Sequence, residues 1–322
     1  MPELETELLW QAASWLETFA NPPLSVEKLR RLTEERNIDF ATAVLYQALR
    51  SSPRHGPFIA QVDGLMVNPT ATSVEVVIVP GAFYREAPES GADGHLIRGT
   101  AESLGFTTVL VPLLSFGRIH ANANLLADWL RRDNGRDRIL VTHSKSALEV
   151  RAVLARPDAP ELLRRVVAWV DLAGLFHGTP LVSWQRSRPI RWPLTRLLMW
   201  WKGYAVAALD DVNRTACPPW PEALARACHL KVVHVVGLPL RRHLALPLTR
   251  RCHRRMGPLG PNDGASLLGD ALNLPGLVYP VWGADHYLRP FGRDMGELVA
   301  RILTYLTVQP AIRVDAERQL LT

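Results

Sequence analysis

A short apolar run, Ile139-Leu140-Val141, breaks abruptly into Thr142-His143-Ser144-Lys145-Ser146, and a helical pattern (Ala147, Leu148, Val150, Ala152, Val153, Leu154) follows at once. Strand, sharp turn and helix, with a serine at the apex, is the sequence form of a nucleophile elbow. Such a turn strains the serine backbone and lifts its Oγ clear of the sheet. It also aims the first N–H groups of the helix at whatever the serine attacks. The usual pattern has glycine two residues before and two after the serine, because the turn brings those positions together. Here they are Thr142 and Ser146, both small and neither glycine, so the motif taken alone also fits a serine that merely follows a strand.

A serine hydroxyl needs an adjacent base that is itself oriented by an acid. Behind an elbow of this kind the chain order is Ser, then Asp or Glu, then His. Asp263 lies among turn formers in Gly260-Pro261-Asn262-Asp263-Gly264, and His286 follows the apolar run Leu277–Trp282. Ser144, Asp263 and His286 are therefore the candidate nucleophile, acid and base. An Asn-Asp-Gly turn would explain Asp263 without any such role. Asp285 is a rival acid, but adjacent residues on an extended chain point apart, which favours Asp263. His143 is a rival base, too close in sequence to reach Ser144 Oγ well. It stays a candidate for the substrate pocket, as does His177.

An oxyanion hole requires two backbone N–H groups. Lys145, directly after the serine, supplies one candidate; its side chain is expected to point to solvent, the alternative being that it favours an anionic acyl group. The other comes from Pro80-Gly81-Ala82-Phe83, after the β-branched run Val74–Val79. Ala82 is the preferred donor and Phe83 the alternative, with Phe83 also expected against substrate. A plain strand-ending turn would account for the Pro-Gly pair equally well.

With these residues the chain resembles the α/β-hydrolase superfamily, in its esterase and lipase branch, over residues 70–305. The resemblance is carried by VVIVPGAF (Val76–Phe83), VTHSKS (Val141–Ser146), Phe176-His177-Gly178-Thr179-Pro180, Asn262-Asp263-Gly264 and Gly283-Ala284-Asp285-His286. Pro80 stands where that family usually has His before the oxyanion glycine, and Thr142 and Ser146 replace both elbow glycines. The resemblance implies Ser144, Asp263 and His286 as a triad. It also implies an α/β-hydrolase fold: a mostly parallel central sheet, helices on both faces and a helical cap insertion.

The strand and helix patterns agree. Apolar runs at Val74–Val79, Thr107–Pro112, Ile139–Thr142, Val166–Leu172, Lys231–Val236 and Leu277–Val281 alternate with helical patterns at Ile97–Leu104, Ala121–Arg131 and Ala147–Leu154. Weaker strands are expected near Phe58–Leu65. Residues 1–68 read as an N-terminal helical extension of three segments, with Ser25 and Asp39 as caps. Residues 69–310 form the hydrolase domain. The stretch 178–228 inside it is too long for an ordinary crossover and reads as a cap, and 311–322 is a polar tail. Leu172–Lys231 holds half of the ten tryptophans, among them Trp200 and Trp201. These are expected to line an apolar acyl pocket.

The acidic N-terminus does not read as a signal peptide. Leu194–Leu209, broken by Arg196 and Lys202, is too short to span a bilayer. The three cysteines form no spaced framework. A cytoplasmic protein with no metal and no cofactor is expected, its oligomeric state open. The net charge is +6, and the six arginines of Arg241–Arg255, with His243, His253 and no acid, could hold all of it. The functional reading is weak contact with an anionic surface, either phospholipid head groups or an acidic substrate; the alternative is a solvated loop balanced by acids elsewhere. Nucleic acid is not expected, because no aromatics are interleaved there. The leading expectation is a serine esterase, lipase-like, taking a small-molecule ester with an apolar acyl group. Thioester hydrolysis, acyl transfer and a non-catalytic binding module are the alternatives.

Overall fold

The computed structural model describes residues 2–19, 23–67, 69, 73–216, 230–289 and 294–308. Six parallel strands form one sheet: β1 (Glu75–Val79), β2 (Thr107–Leu110), β3 (Arg138–His143), β4 (Val166–Leu172), β5 (Lys231–Leu238) and β6 (Leu277–Trp282). Their order is β2-β1-β3-β4-β5-β6, with every neighbouring pair parallel. Parallel strands are buried on both faces, so they read as unbroken apolar runs. Along β1, Val76 and Ile78 point into one core and Val77 and Val79 into the other.

The first core is covered by helices α4 (Gly56–Gly64) and α5 (His95–Ser103) and by the C-terminal helix Met295–Val308. The second is covered by α6 (Ile119–Leu130) and α7 (Ser146–Leu154). This alternation leaves the carboxyl ends of the strands as the one rim where loops converge, the usual location of ligand sites in such sheets.

Among the described residues, four helices precede β1: α1 (Pro2–Phe19), α2 (Val26–Glu35), α3 (Ile38–Arg50) and α4. Ser25 caps α2 by accepting from Lys28 N at 3.1 Å. The cap of α3 is Asn37, which accepts from Phe40 N at 2.8 Å. Asp39, expected there, instead accepts from Arg241 N at 3.0 Å. The strand expected near Phe58–Leu65 is helix α4. Its Pro57 suits a first helical turn, and Phe58, Ile59 and Val62 share the buried face. So short an apolar run carries no period that separates strand from helix. Leu45 and Leu49 of α3 pack with Leu238 and Val278, and Glu5 of α1 accepts from Trp282 Nε1 at 2.7 Å. The extension therefore packs on the β6 side of the sheet.

Among the described residues, three helices run between β4 and β5: Leu181–Arg186, Arg191–Trp201 and Ala207–Asp211. Residues 217–229, with Cys217, Trp220 and Cys228, lie outside the described residues, as does the tail 311–322. The basic segment is not a loop. It forms a short turn at Arg241–His243 and a helix, Pro247–Met256. No described helix is long and apolar enough to cross a membrane.

Candidate active site

Ser144 sits at the end of β3 with φ 58°, a left-handed conformation that is strained for a residue with a side chain. The turn is pinned on both sides: Ser144 N donates to Leu172 O, and Leu175 N donates to Ser144 O, each at 3.1 Å. The two non-glycine positions are also tied down. Thr142, fully buried, donates to Asp171 Oδ1 and accepts from Trp169 Nε1, both at 2.8 Å. Ser146, also fully buried, accepts from His143 N at 2.9 Å and donates to Val79 O at 2.8 Å. Each hydroxyl thus occupies the space a glycine would leave and bonds across it.

Three sequence-distant side chains meet above this turn. Ser144 Oγ lies 2.8 Å from His286 Nε2, and His286 Nδ1 lies 2.8 Å from Asp263 Oδ2. His286 and Asp263 are buried, and Ser144 is partly exposed. Asp263 also accepts from Ala265 N at 2.8 Å, Ser266 N at 2.7 Å and Ser266 Oγ at 2.9 Å. Asn262 braces the loop by donating to His253 O at 3.2 Å and Gly260 O at 3.1 Å. The rival Asp285 instead accepts from Tyr287 N at 2.9 Å and Arg289 N at 3.3 Å.

The electrostatics follow from this line of contacts. Burial opposes a charge on His286, but the Asp263 carboxylate outweighs it and holds the imidazole pKa above its usual value. Burial likewise opposes the Asp263 charge. The charge and hydrogen bond of His286, with the bonds from Ser266 and Ala265 N–H, outweigh it and keep that carboxyl below the usual range. His143 behaves oppositely. Burial, then the nearby His286, push it down to about 3, so it is neutral at neutral pH.

On the β1 side, Gly81 N donates to Ala92 O and Phe83 N to Ser115 O, both at 2.8 Å. No hydrogen bond engages Ala82 N or Lys145 N among the described residues. A Cβ on Gly81 would meet His143 O at 2.9 Å, so only glycine fits this approach. Phe83 (φ 60°) stacks on Phe116 with ring centroids 4.4 Å apart, and Tyr204 meets both edge-on. Met199 joins this cluster, and Ala82 packs against it.

Other expected residues fall elsewhere. Trp200 and Trp201 are 73% and 74% exposed and line no described pocket. His143 borders a pocket of about 290 Å³ shared with Leu172, Tyr287 and Leu288. His177 is half-buried, and burial pushes its pKa down. The Lys145 side chain does not reach solvent. It is 2% exposed and pairs with Glu149 one helical turn on, where Asn122 Nδ2 also donates at 2.8 Å. Sequence reasoning missed Asp171, Phe116 and Tyr204. Only Asp171 had a signal, as the lone acid in an otherwise apolar strand.

No family model and no curated protein sequence matches the chain. Solved structures do. A metagenomic carboxyl esterase superposes with a TM-score of 0.55 at 18% identity, covering 81% of this chain and 89% of that one. A Bacillus licheniformis lipase in its propeptide form gives 0.56 at 19%, covering 76% of this chain and 52% of that one; this chain thus spans about half of it. The mature form of that lipase gives 0.50 at 19%, covering 74% and 91%. Sheet order, a serine turn at the end of β3 and these superpositions together identify an α/β-hydrolase fold.

Proposed function

We propose that the chain is a serine hydrolase of carboxylic esters, using Ser144 as nucleophile, His286 as base and Asp263 as orienting acid. The observation that carries this reading is the continuous line Ser144 Oγ, His286, Asp263, with 2.8 Å at both links. It is supported by the esterase and lipase among the structures that share the fold.

His286 Nε2 takes the Ser144 proton as Oγ attacks the ester carbonyl, and Asp263 stabilises the resulting imidazolium and fixes its orientation. The oxyanion is held by the N–H groups of Lys145 and Ala82. Phe83 N, already donating to Ser115 O, is not free for that work. The alcohol leaves with the proton from His286, and water repeats the sequence to release the acid. Neutral His143 adds no charge and does not compete as base. The apolar acyl group is received by Phe83, Phe116, Tyr204 and Met199 beside Ala82, rather than by Trp200 and Trp201.

The test is hydrolysis of p-nitrophenyl esters from acetate to palmitate by wild type and Ser144→Ala. The expected result is turnover in the wild type and a loss of at least about 10³-fold in the variant. Undiminished turnover in Ser144→Ala overturns the reading.

A further inference from the structure

A second cleft, of about 420 Å³, opens between the insertion and the basic helix Pro247–Met256. Arg191, Arg251, Arg254 and Arg255 line it, with Trp184 and Leu248 among its walls. None of these four arginines has a carboxylate partner among the described residues. Elsewhere in the basic segment Arg242 pairs with Glu5, and Arg250 donates to Leu244 O. Arg251 and Arg255 are also one helical turn apart, a like-charge spacing that weakens a helix. The helix dipole favours arginines in the last turn, which accounts for Arg254 and Arg255. It does not account for Arg251, or for Arg191, which comes from a different helix.

Trp184 joins the two sides. The guanidiniums of Arg188, Arg191 and Arg255 lie 5.4, 5.7 and 4.9 Å from its ring centroid. Arg191 on one wall and Arg255 on the other thus share one ring. Several planar guanidinium forks converging on one space suit a phosphate, whose oxygens accept from more than one of them. The surroundings are apolar. Leu248 is exposed beside the arginines, and Leu194 and Leu198 follow Arg191 at three and seven residues on the same helix face, 58% and 51% exposed.

We propose that this cleft binds a phosphate-bearing anion with an apolar body, at a site separate from Ser144. The phosphate is met by Arg191, Arg251, Arg254 and Arg255, and the apolar body lies along Leu194, Leu198 and Leu248. The phosphate comes either from a soluble amphiphile or from the head group of an anionic lipid surface.

The experiment measures binding rather than turnover, so its outcome is independent of the hydrolase reading. The full chain is titrated with inorganic phosphate by calorimetry and sedimented with phosphatidylglycerol or phosphatidylcholine vesicles. The variants are Arg251→Glu/Arg254→Glu and a control with the same net charge, Arg98→Glu/Arg132→Glu, at exposed arginines outside the cleft. The expected result is binding that falls about tenfold or more in the cleft variant and is kept in the control. Dependence seen with inorganic phosphate and not with vesicles assigns the site to a soluble ligand; a preference for phosphatidylglycerol vesicles assigns it to a lipid head group. The proposal is overturned if neither probe binds, if both double variants weaken alike, if binding survives the cleft variant, or if a single-stranded oligonucleotide binds more tightly than either probe. Thermal melts of both variants distinguish lost binding from lost folding.

Discussion

The turn that carries Ser144 and the helix Arg191–Trp201 treat their side chains in opposite ways. At the turn, two residues that break the glycine pattern are buried and bonded to the two neighbouring strands, through Asp171 and Trp169 on β4 and Val79 on β1. On the helix, Met199 is the buried residue, and Leu194, Leu197, Leu198, Trp200 and Trp201 stand in water. A serine at φ 58° costs about 1–3 kcal/mol and persists only where its surroundings over-determine it. The helix has no such constraint, and segments with few buried contacts are the ones free to move or to meet a ligand. Rigidity is concentrated at the turn of the proposed nucleophile, and exposed apolar surface on the insertion helix.

The largest effect expected at the rigid end is in the pH profile. In the proposed mechanism His286 must be neutral to accept the Ser144 proton, and Asp263 raises its pKa above the usual value of about 6.5. A raised pKa keeps the imidazolium present to higher pH, so activity is lost on acidification from a midpoint above about 6.5, close to tenfold for each further unit. His143, at about 3, contributes no limb in that range. The measurement is kcat/KM on a soluble ester across pH. A limb at or below the ordinary imidazole value would mean that the Asp263 contact does not govern the base.

The next effect tests whether the turn's hydroxyls replace glycine or merely tolerate its absence. Thr142→Val keeps the side-chain shape but removes the donor to Asp171 and the acceptor for Trp169 Nε1, both in buried surroundings. Denaturant unfolding should show a loss of about 1–3 kcal/mol. Ser146→Gly, which restores the residue usual in this motif, should also destabilise, because Val79 O and His143 N lose their partner. Stabilisation by either change would show that the polar layer is incidental.

Much of this was legible in the sequence, for physical reasons that differ by element. Strands buried on both faces announce themselves as unbroken apolar runs, as β1 and β4 do. Ser144, Asp263 and His286 could be picked out because each closes a strand or sits in a turn, where topology gathers loops on one rim. The roles of Thr142 and Ser146 were hidden, because their partners Asp171 and Val79 lie 29 and 67 residues away. The Lys145–Glu149 pair was visible as an i,i+4 spacing, but a spacing does not say that both charges are buried. The same gap explains Trp200 and Trp201: helical periodicity groups residues on a face without saying what that face meets.

The smallest effect is expected on that exposed face. Replacing Trp200 and Trp201 together by Ser removes two large side chains that are 73% and 74% exposed. Surface changes of this kind alter stability by no more than about 0.5 kcal/mol. Phe116→Ala, in the cluster beside Ala82, removes a ring that is 6% exposed and should cost about 3–5 kcal/mol. The chain-length profile on the ester series should therefore be unchanged in the tryptophan variant. If the pair lined the acyl pocket instead, the optimum would move toward a different acyl length while stability stayed the same. A stability loss above about 1 kcal/mol would show that the tryptophans pack against a neighbour, and the contrast between a rigid turn and a free helix face would fail there.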